Sequence, residues 1–176
     1  MADWFVLYVR TGTEEHVLKL LERWIDTNVY MPFIPKKELV RFREGTRLKE
    51  KRICFPGYVF ISSANDCDTF ITNVVPLATR VKEAYYFLSY GGNKRDITMK
   101  KHEQTYIEQL LNDEFCMVGS IGFREGDRVR IIKGALMGIE SQIIRINKRK
   151  CIAVVEFNIM GSIREATLML EMIESL

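Results

Sequence analysis

Histidine is nearly absent from this chain of 176 residues, which carries only His16 and His102. Neither lies near Cys54, Cys67, Cys116 or Cys151 in sequence, and no C-x-x-C pair occurs. Zinc ligation uses Cys and His at short, repeated spacings, so the pattern argues against a zinc site and for reduced, mostly buried thiols. Also missing is any run of eighteen apolar residues, so no membrane-spanning helix is expected. The start, MADWFVLYVR, has neither a basic lead nor a small-residue cleavage site, which points to a cytoplasmic protein. Catalytic signatures are missing too: no G-x-S-x-G, no phosphate loop with G-K-[ST], no H-E-x-x-H and no H-x-E. His16 and His102 fall early in expected helices as surface residues, and the carboxylates are scattered among bases without an evident pair. No catalytic residue, metal or cofactor is assigned.

What the chain does have is apolar content, at 47%, enough for one domain or two small ones, and charge that is clustered although the net is only +3. Residues 36–52 hold eight basic side chains against three acidic ones, a local surplus of five, and residues 124–150 repeat the same ratio. Beyond Cys151 only Arg164 faces four glutamates. The last third of the chain is therefore electrically polarised.

The periodicity divides the chain in two. WFVLYV (4–9) reads as a strand, and Thr13 as the N-cap of a helix with Glu14 and Glu15 in its first turn. Val17, Leu20, Leu21, Trp24 and Ile25 form its apolar stripe. Pro32 and Pro35 turn the chain to an extended segment, and Glu44-Gly45 folds that segment onto RLKEKRI as a basic hairpin. GYVFIS is a strand, Asn65 or Asp66 caps a short helix limited by Pro76, VKEAYYFLSY is strand-like, and 98–112 is a helix. Strands alternating with helices predict an α+β fold, with an α/β sandwich over residues 1–112. From 123 to 176 four closely spaced strand-like pieces, broken by Gly, Asn and basic turns, predict a small all-β barrel. Residues 113–122 are the expected linker. Flexible, it would span about 17 Å; its Phe115, Met117, Val118 and Ile121 would instead let it pack.

Three places invite a binding reading. In CFPGYVF (54–60), Pro56 fixes its own backbone and Gly57 supplies a positive φ, which orients Phe55 and Tyr58 at low entropic cost. Those rings are either a docking surface or ordinary core residues, and only one of Tyr8 and Phe5 on the first strand can face outward with them. The basic hairpin, with Arg47 and Lys49 on its second strand, suits a phosphate backbone or is simply a solvated face. Arg10 and Thr11, at the exit of the first strand, could add phosphate contacts. In the barrel, Asn147 begins a turn with three consecutive cations, Lys148, Arg149 and Lys150, while Lys133 and Arg130 lie by a second turn bracketed by Gly134 and Gly138. Such turns protect strand edges, or they present cations to RNA phosphates and splayed bases. Arg128 and Arg145 belong to the same basic set.

Together the opening W-F-V-L-Y with T-G after it, P-x-x-E-L-V (35–40), F-P-G-Y-V (55–59) and F-x-x-G-D-x-V-R-I followed by G-x-x-x-G (123–131, 134, 138) resemble the NusG family of transcription elongation factors. The resemblance implies an N-terminal NGN domain, an antiparallel sheet with flanking helices, and a C-terminal KOW barrel. It implies docking on the clamp helices of the RNA polymerase β′ subunit through Tyr8, Phe55, Pro56, Gly57 and Tyr58. Arg10 matches a place near the non-template strand, with Arg47 and Lys49 in the DNA-proximal set. The sequence departs from the family pattern at Gly134-Ala135-Leu136, where G-P-F is usual, at Ser141, where glycine is common, and at Met160, where general members offer an aromatic to the termination factor Rho or to the ribosome. With the basic 148–150 turn, these departures resemble the specialised LoaP type, whose members act on long biosynthetic operons and recognise an RNA hairpin in the leader transcript. The RNA-binding set expected here is Arg128, Arg130, Lys133, Arg145, Lys148, Arg149 and Lys150. The expected protein is a monomeric, non-enzymatic factor without a cofactor. The alternatives are a general factor coupling polymerase to Rho or the ribosome, and a ribosome-associated RNA-binding protein.

Overall fold

The apolar runs become strands where they can pair and helices where their period is near 3.6. In chain order these are β1 (Asp3–Val9), α1 (Glu14–Trp24), β2 (Tyr30–Phe33), β3 (Lys36–Arg43), β4 (Thr46–Ile53), β5 (Tyr58–Ser63), α2 (Cys67–Asn73) and α3 (Val75–Ala78). There follow β6 (Ala84–Phe87), α4 (Lys101–Glu108), β7 (Cys116–Met117) and β8 (Ser120–Glu125). The chain ends with β9 (Arg128–Lys133), β10 (Ile143–Asn147), β11 (Ile152–Ile159) and β12 (Ser162–Ile173). The structure is a computed structural model that describes residues 2–174. Its class is the α+β fold expected.

Packing groups the chain into two units. Among the described residues the first comprises 2–34, Phe55–Gln104 and Ile159–Ser162; the second comprises Pro35–Cys54, Thr105–Asn158 and 163–174. The division is not the single cut at 113–122 that composition suggests. The basic hairpin goes with the second unit and the β11–β12 tip with the first, because strand pairing and side-chain burial need not follow chain order.

In the first unit a four-stranded sheet runs β2-β5-β1-β6. Central β1 pairs antiparallel with β5 over six residues and with β6 on its other edge, where a bulge shifts the register between Tyr8 and Val9. Adjacent residues of β1 serve opposite faces. Phe5 stacks on Phe70 of α2 with ring centroids 3.7 Å apart, while Trp4 packs edge-on against Phe33 and Phe60. Both faces are therefore covered, and the whole run is apolar rather than alternating. Asp66 caps α2 by accepting from Thr69 N at 2.8 Å, a bond that holds its carboxyl below the usual range. Thr13 does occupy the N-cap position of α1, but its hydroxyl donates to the Arg10 carbonyl at 2.6 Å and caps nothing.

The second unit contains two sheets, β4-β3-β7 and β10-β11-β12-β8-β9. The β3–β4 hairpin pairs in full register from Lys36↔Ile53 to Arg43↔Thr46. The expected linker is packed: β7 pairs parallel with the start of β3, and β8 pairs parallel with the end of β12. The helix expected over 98–112 is shorter, because Leu110 and Leu111 tighten to i−3 bonds and the Asn112 side chain accepts from Glu114 N and Cys116 N. Gly134 (φ +100) admits no side chain, since a Cβ there would lie 2.3 Å from the Gly119 carbonyl oxygen. The departure at Gly134-Ala135-Leu136 is accommodated on this approach: Leu136 is buried and its N–H donates to Ser120 Oγ at 2.9 Å. All four cysteines are free, Cys54 and Cys116 buried, Cys67 and Cys151 half-buried. Burial pushes the Cys54 thiol up to about 12.

Candidate protein and nucleic-acid interfaces

The turn in CFPGYVF is held from behind. Gly57 (φ +86) donates its N–H to Glu14 Oε1 at 2.7 Å, Gly12 donates to Glu14 Oε2 at 2.8 Å, and Val9 N donates to the Gly57 carbonyl at 2.8 Å. The Glu14 side chain is buried, so one carboxylate ties the end of β1, the start of α1 and the turn together. A Cβ at position 57 would press on Tyr8 Cε2 and Thr11 Oγ1 at 3.3 Å. Glu14 was expected only as a first-turn helix acid.

The expectation that this turn presents Phe55 and Tyr58 to a partner is corrected. Phe55 is 3% exposed and Tyr58 7%. Phe55 packs near Phe60 and Tyr58 meets Tyr8 edge-on at 5.9 Å. Rings beside a central strand gain more from this core than from water, by about 1.5–3 kcal/mol for a side chain of that size. Of the five expected docking residues, only Pro56 is exposed and Tyr8 half-buried; Gly57 is buried. Two accessible rings that sequence reasoning passed over are Tyr85 at 52% and Tyr86 at 60% exposure, with centroids 5.2 and 5.4 Å from Tyr8. Consecutive tyrosines on an edge strand cannot both point inward, and that signal was available. Beneath them Leu7, Ile71, Val75, Phe87 and Ile97 line a half-open groove of about 470 Å³. Arg10 reaches Glu83 at 3.8 Å.

Met160, the residue that stands in place of an aromatic, is buried in the first unit with φ +52. Its N–H and that of Gly161 donate to the two Glu103 carboxylate oxygens at 3.1 and 3.0 Å. Glu103 also accepts from the Tyr90 hydroxyl, and burial together with that carboxylate raises the phenol above its ordinary range. Nothing in the linear sequence pairs residues 103 and 160.

In the second unit the ribbon's charge is partly balanced by acids remote in sequence. Arg47 forms a bidentate pair with Glu171 at 2.8 and 2.6 Å, which raises the guanidinium and lowers the Glu171 carboxyl. Lys51 pairs with Glu114, and Lys49 lies 3.8 Å from Glu38. The seven barrel cations are exposed, and four of them are divided between two grooves. Arg128 and Arg145 line one groove of about 550 Å³ with Arg124, a residue not in the expected set. Arg149 and Lys150 line another, of about 700 Å³, with Asn147 and the ribbon residues Val40 and Phe42. Lys148 shares their turn, closed by Lys150 N donating to Asn147 Oδ1 at 3.0 Å. Arg130 pairs with Glu125 at 3.5 Å, and Lys133 lines neither groove. Among the described residues no cluster of His, Cys, Asp and Glu could hold a metal ion, and no helix is long and apolar enough to cross a membrane.

An antiparallel sheet flanked by helices, with a second unit of β-sheets bearing exposed cations, defines a two-unit α+β protein. Residues 2–110 match the family model described as "Transcription termination factor nusG". The chain belongs to the NusG family of transcription termination/antitermination factors. It is 24% identical over 168 residues to the transcription termination/antitermination protein NusG of Thermus thermophilus, covering 90% of each chain. It is 25% identical over 140 residues to that of Helicobacter pylori 26695, covering 76% of each, and 28% identical over 153 residues to that of Streptococcus pyogenes serotype M1, covering 84% and 82%. A solved structure described as "Domain interaction in Thermotoga maritima NusG" shares the fold, with a TM-score of 0.51 at 22% identity over 97% of this chain and 94% of that one.

Proposed function

We propose that this chain binds RNA polymerase through its first unit and RNA through its second, favouring processive transcription of long operons. The observation that carries the reading is the exposed tyrosine pair beside Tyr8, an aromatic surface within the stretch that the family model matches. The β′ clamp helices are the proposed partner, with Phe55, Gly57 and Tyr58 shaping the surface from beneath. Binding that stabilises a closed clamp disfavours the conformations leading to pausing and termination, so no catalysis or cofactor is required. Arg10, Lys49 and Arg47 are the residues proposed to approach upstream or non-template DNA. The barrel cations contact a hairpin in the leader transcript, as in the LoaP type, and the factor works in the cytoplasm as a monomer. The buried Met160 supports this specialised reading over a general coupling role, which calls for an exposed aromatic there.

Capture of purified core polymerase by the full chain tests the proposal. Tyr85→Ser with Tyr86→Ser lowers capture about tenfold or more while the unfolding midpoint stays in place. Unchanged capture removes these rings from the interface. Strong capture of Rho or ribosomes that depends on the barrel favours the general factor instead, and RNA binding without any polymerase binding favours a ribosome-associated protein.

A further inference from the structure

Phe42 is 57% exposed and sits between Arg41 and Arg43 on the ribbon. It lines the 700 Å³ groove with Val40, Asn147, Arg149, Lys150 and Ile152, all within the second unit. That size falls in the range of about 300–1,000 Å³ for pockets that hold ligands. One wall is the ribbon, through Leu39, Val40 and Phe42, and the other is the β10–β11 turn. Cross-strand partners share a face, so Lys49 stands beside Val40 and Arg47 beside Phe42. The charged groups around the groove are therefore Arg47, Lys49, Arg149 and Lys150, facing Glu38 and Glu171. The two glutamates engage Lys49 and Arg47. Arg149 and Lys150 have no ion-pair partner among the described residues. Because Asn147 Oδ1 is taken by Lys150 N, its amide NH₂ is left to donate.

An open aromatic face beside two uncompensated cations matches the two halves of an unstacked nucleotide, the base and its phosphate. A small anion would leave the ring unused, and a paired helix would offer it no base face. We propose that this groove holds an unpaired nucleotide of RNA, with its base stacked on Phe42, its phosphates at Arg149 and Lys150, and its base edge toward the Asn147 amide. The proposal rests on the RNA-binding reading above and makes the ribbon part of that site.

The test titrates the full chain with a labelled single-stranded RNA of mixed sequence, the same RNA fully paired, and single-stranded DNA of the same sequence. Single-stranded RNA binds tightest. Phe42→Ala weakens it about tenfold, within the span seen when stacking aromatics are truncated, and leaves the salt dependence unchanged. Phe42→Trp restores the affinity, and 5-iodouridine RNA cross-links at or beside Phe42. Because Phe42 is exposed, the alanine variant keeps the unfolding midpoint of the parent. Unchanged affinity in Phe42→Ala, or a cross-link confined to the Arg128 groove, overturns the site while leaving RNA binding by the barrel intact. Equal affinity for the DNA overturns the RNA assignment. Failure of the unaltered chain to bind any RNA overturns the underlying reading and the groove with it.

Discussion

The turn at 56–57 and the turn at 148–150 are both short and both stand out in the sequence, yet the fold uses them in opposite directions. The first is drawn inward: Glu14 holds its backbone and Phe55 enters the core. The second leaves three cations in water, closed only by local bonds from Lys150 N to Asn147 and Cys151 N to Lys148. Apolar rings beside a central strand are worth most when buried, while a run of like charge cannot be buried without partners. A rigid turn carrying aromatics therefore signals architecture before it signals binding. A rigid turn carrying cations signals the reverse.

Substitutions should separate the two. Phe55→Ala is expected to cost about 3–5 kcal/mol in urea unfolding. That loss makes it a poor probe of any partner, and a cost below about 1 kcal/mol would show that the ring is not core. Glu14→Ala leaves the buried Gly57 N–H unsatisfied, while the Gly12 N–H at an exposed position can turn to water, and is expected to cost about 2 kcal/mol; wild-type stability would mean that the turn is held by something else. Breaking the Arg47 to Glu171 pair tests a milder tie. Its hydrogen bond depresses the folded carboxyl of Glu171, so its contribution is present at neutral pH and is lost as pH falls through the folded value, below the ordinary 4.5. Glu171→Gln should cost about 0.5 kcal/mol at pH 7, discounted for exposure, and nothing in strong acid. A pH-independent deficit would contradict that account. Replacing Lys148, Arg149 and Lys150 with Gln should move stability by less than about 0.5 kcal/mol. The log-log salt slope for RNA should nonetheless fall by about 0.7 for each phosphate that the turn no longer neutralises. An unchanged slope removes that turn from the RNA site.

Much of the fold was legible because its signals are local. The apolar run of β1, the 3.6-period stripe of α1, a cap at Asn65 or Asp66 and Glu44-Gly45 as a hairpin turn each depend on a few neighbouring residues. The site was less legible because its decisive partners are remote. A charge count over 36–52 cannot see Glu114 or Glu171, so it overstates the ribbon's surplus. Phe42 between two arginines carried a signal of its own, aromatic interleaved with basic, that the charge count obscured.

Residue order alone determined the element types, the aromatic and basic segments, and the family, since propensity, period and motif spacing are properties of neighbours along the chain. Tertiary structure decided which rings face solvent, which cations keep their charge uncompensated, and that residues 36–53 pack with the barrel. Burial and electrostatic pairing depend on distances between residues far apart in sequence, and only the folded chain sets those distances.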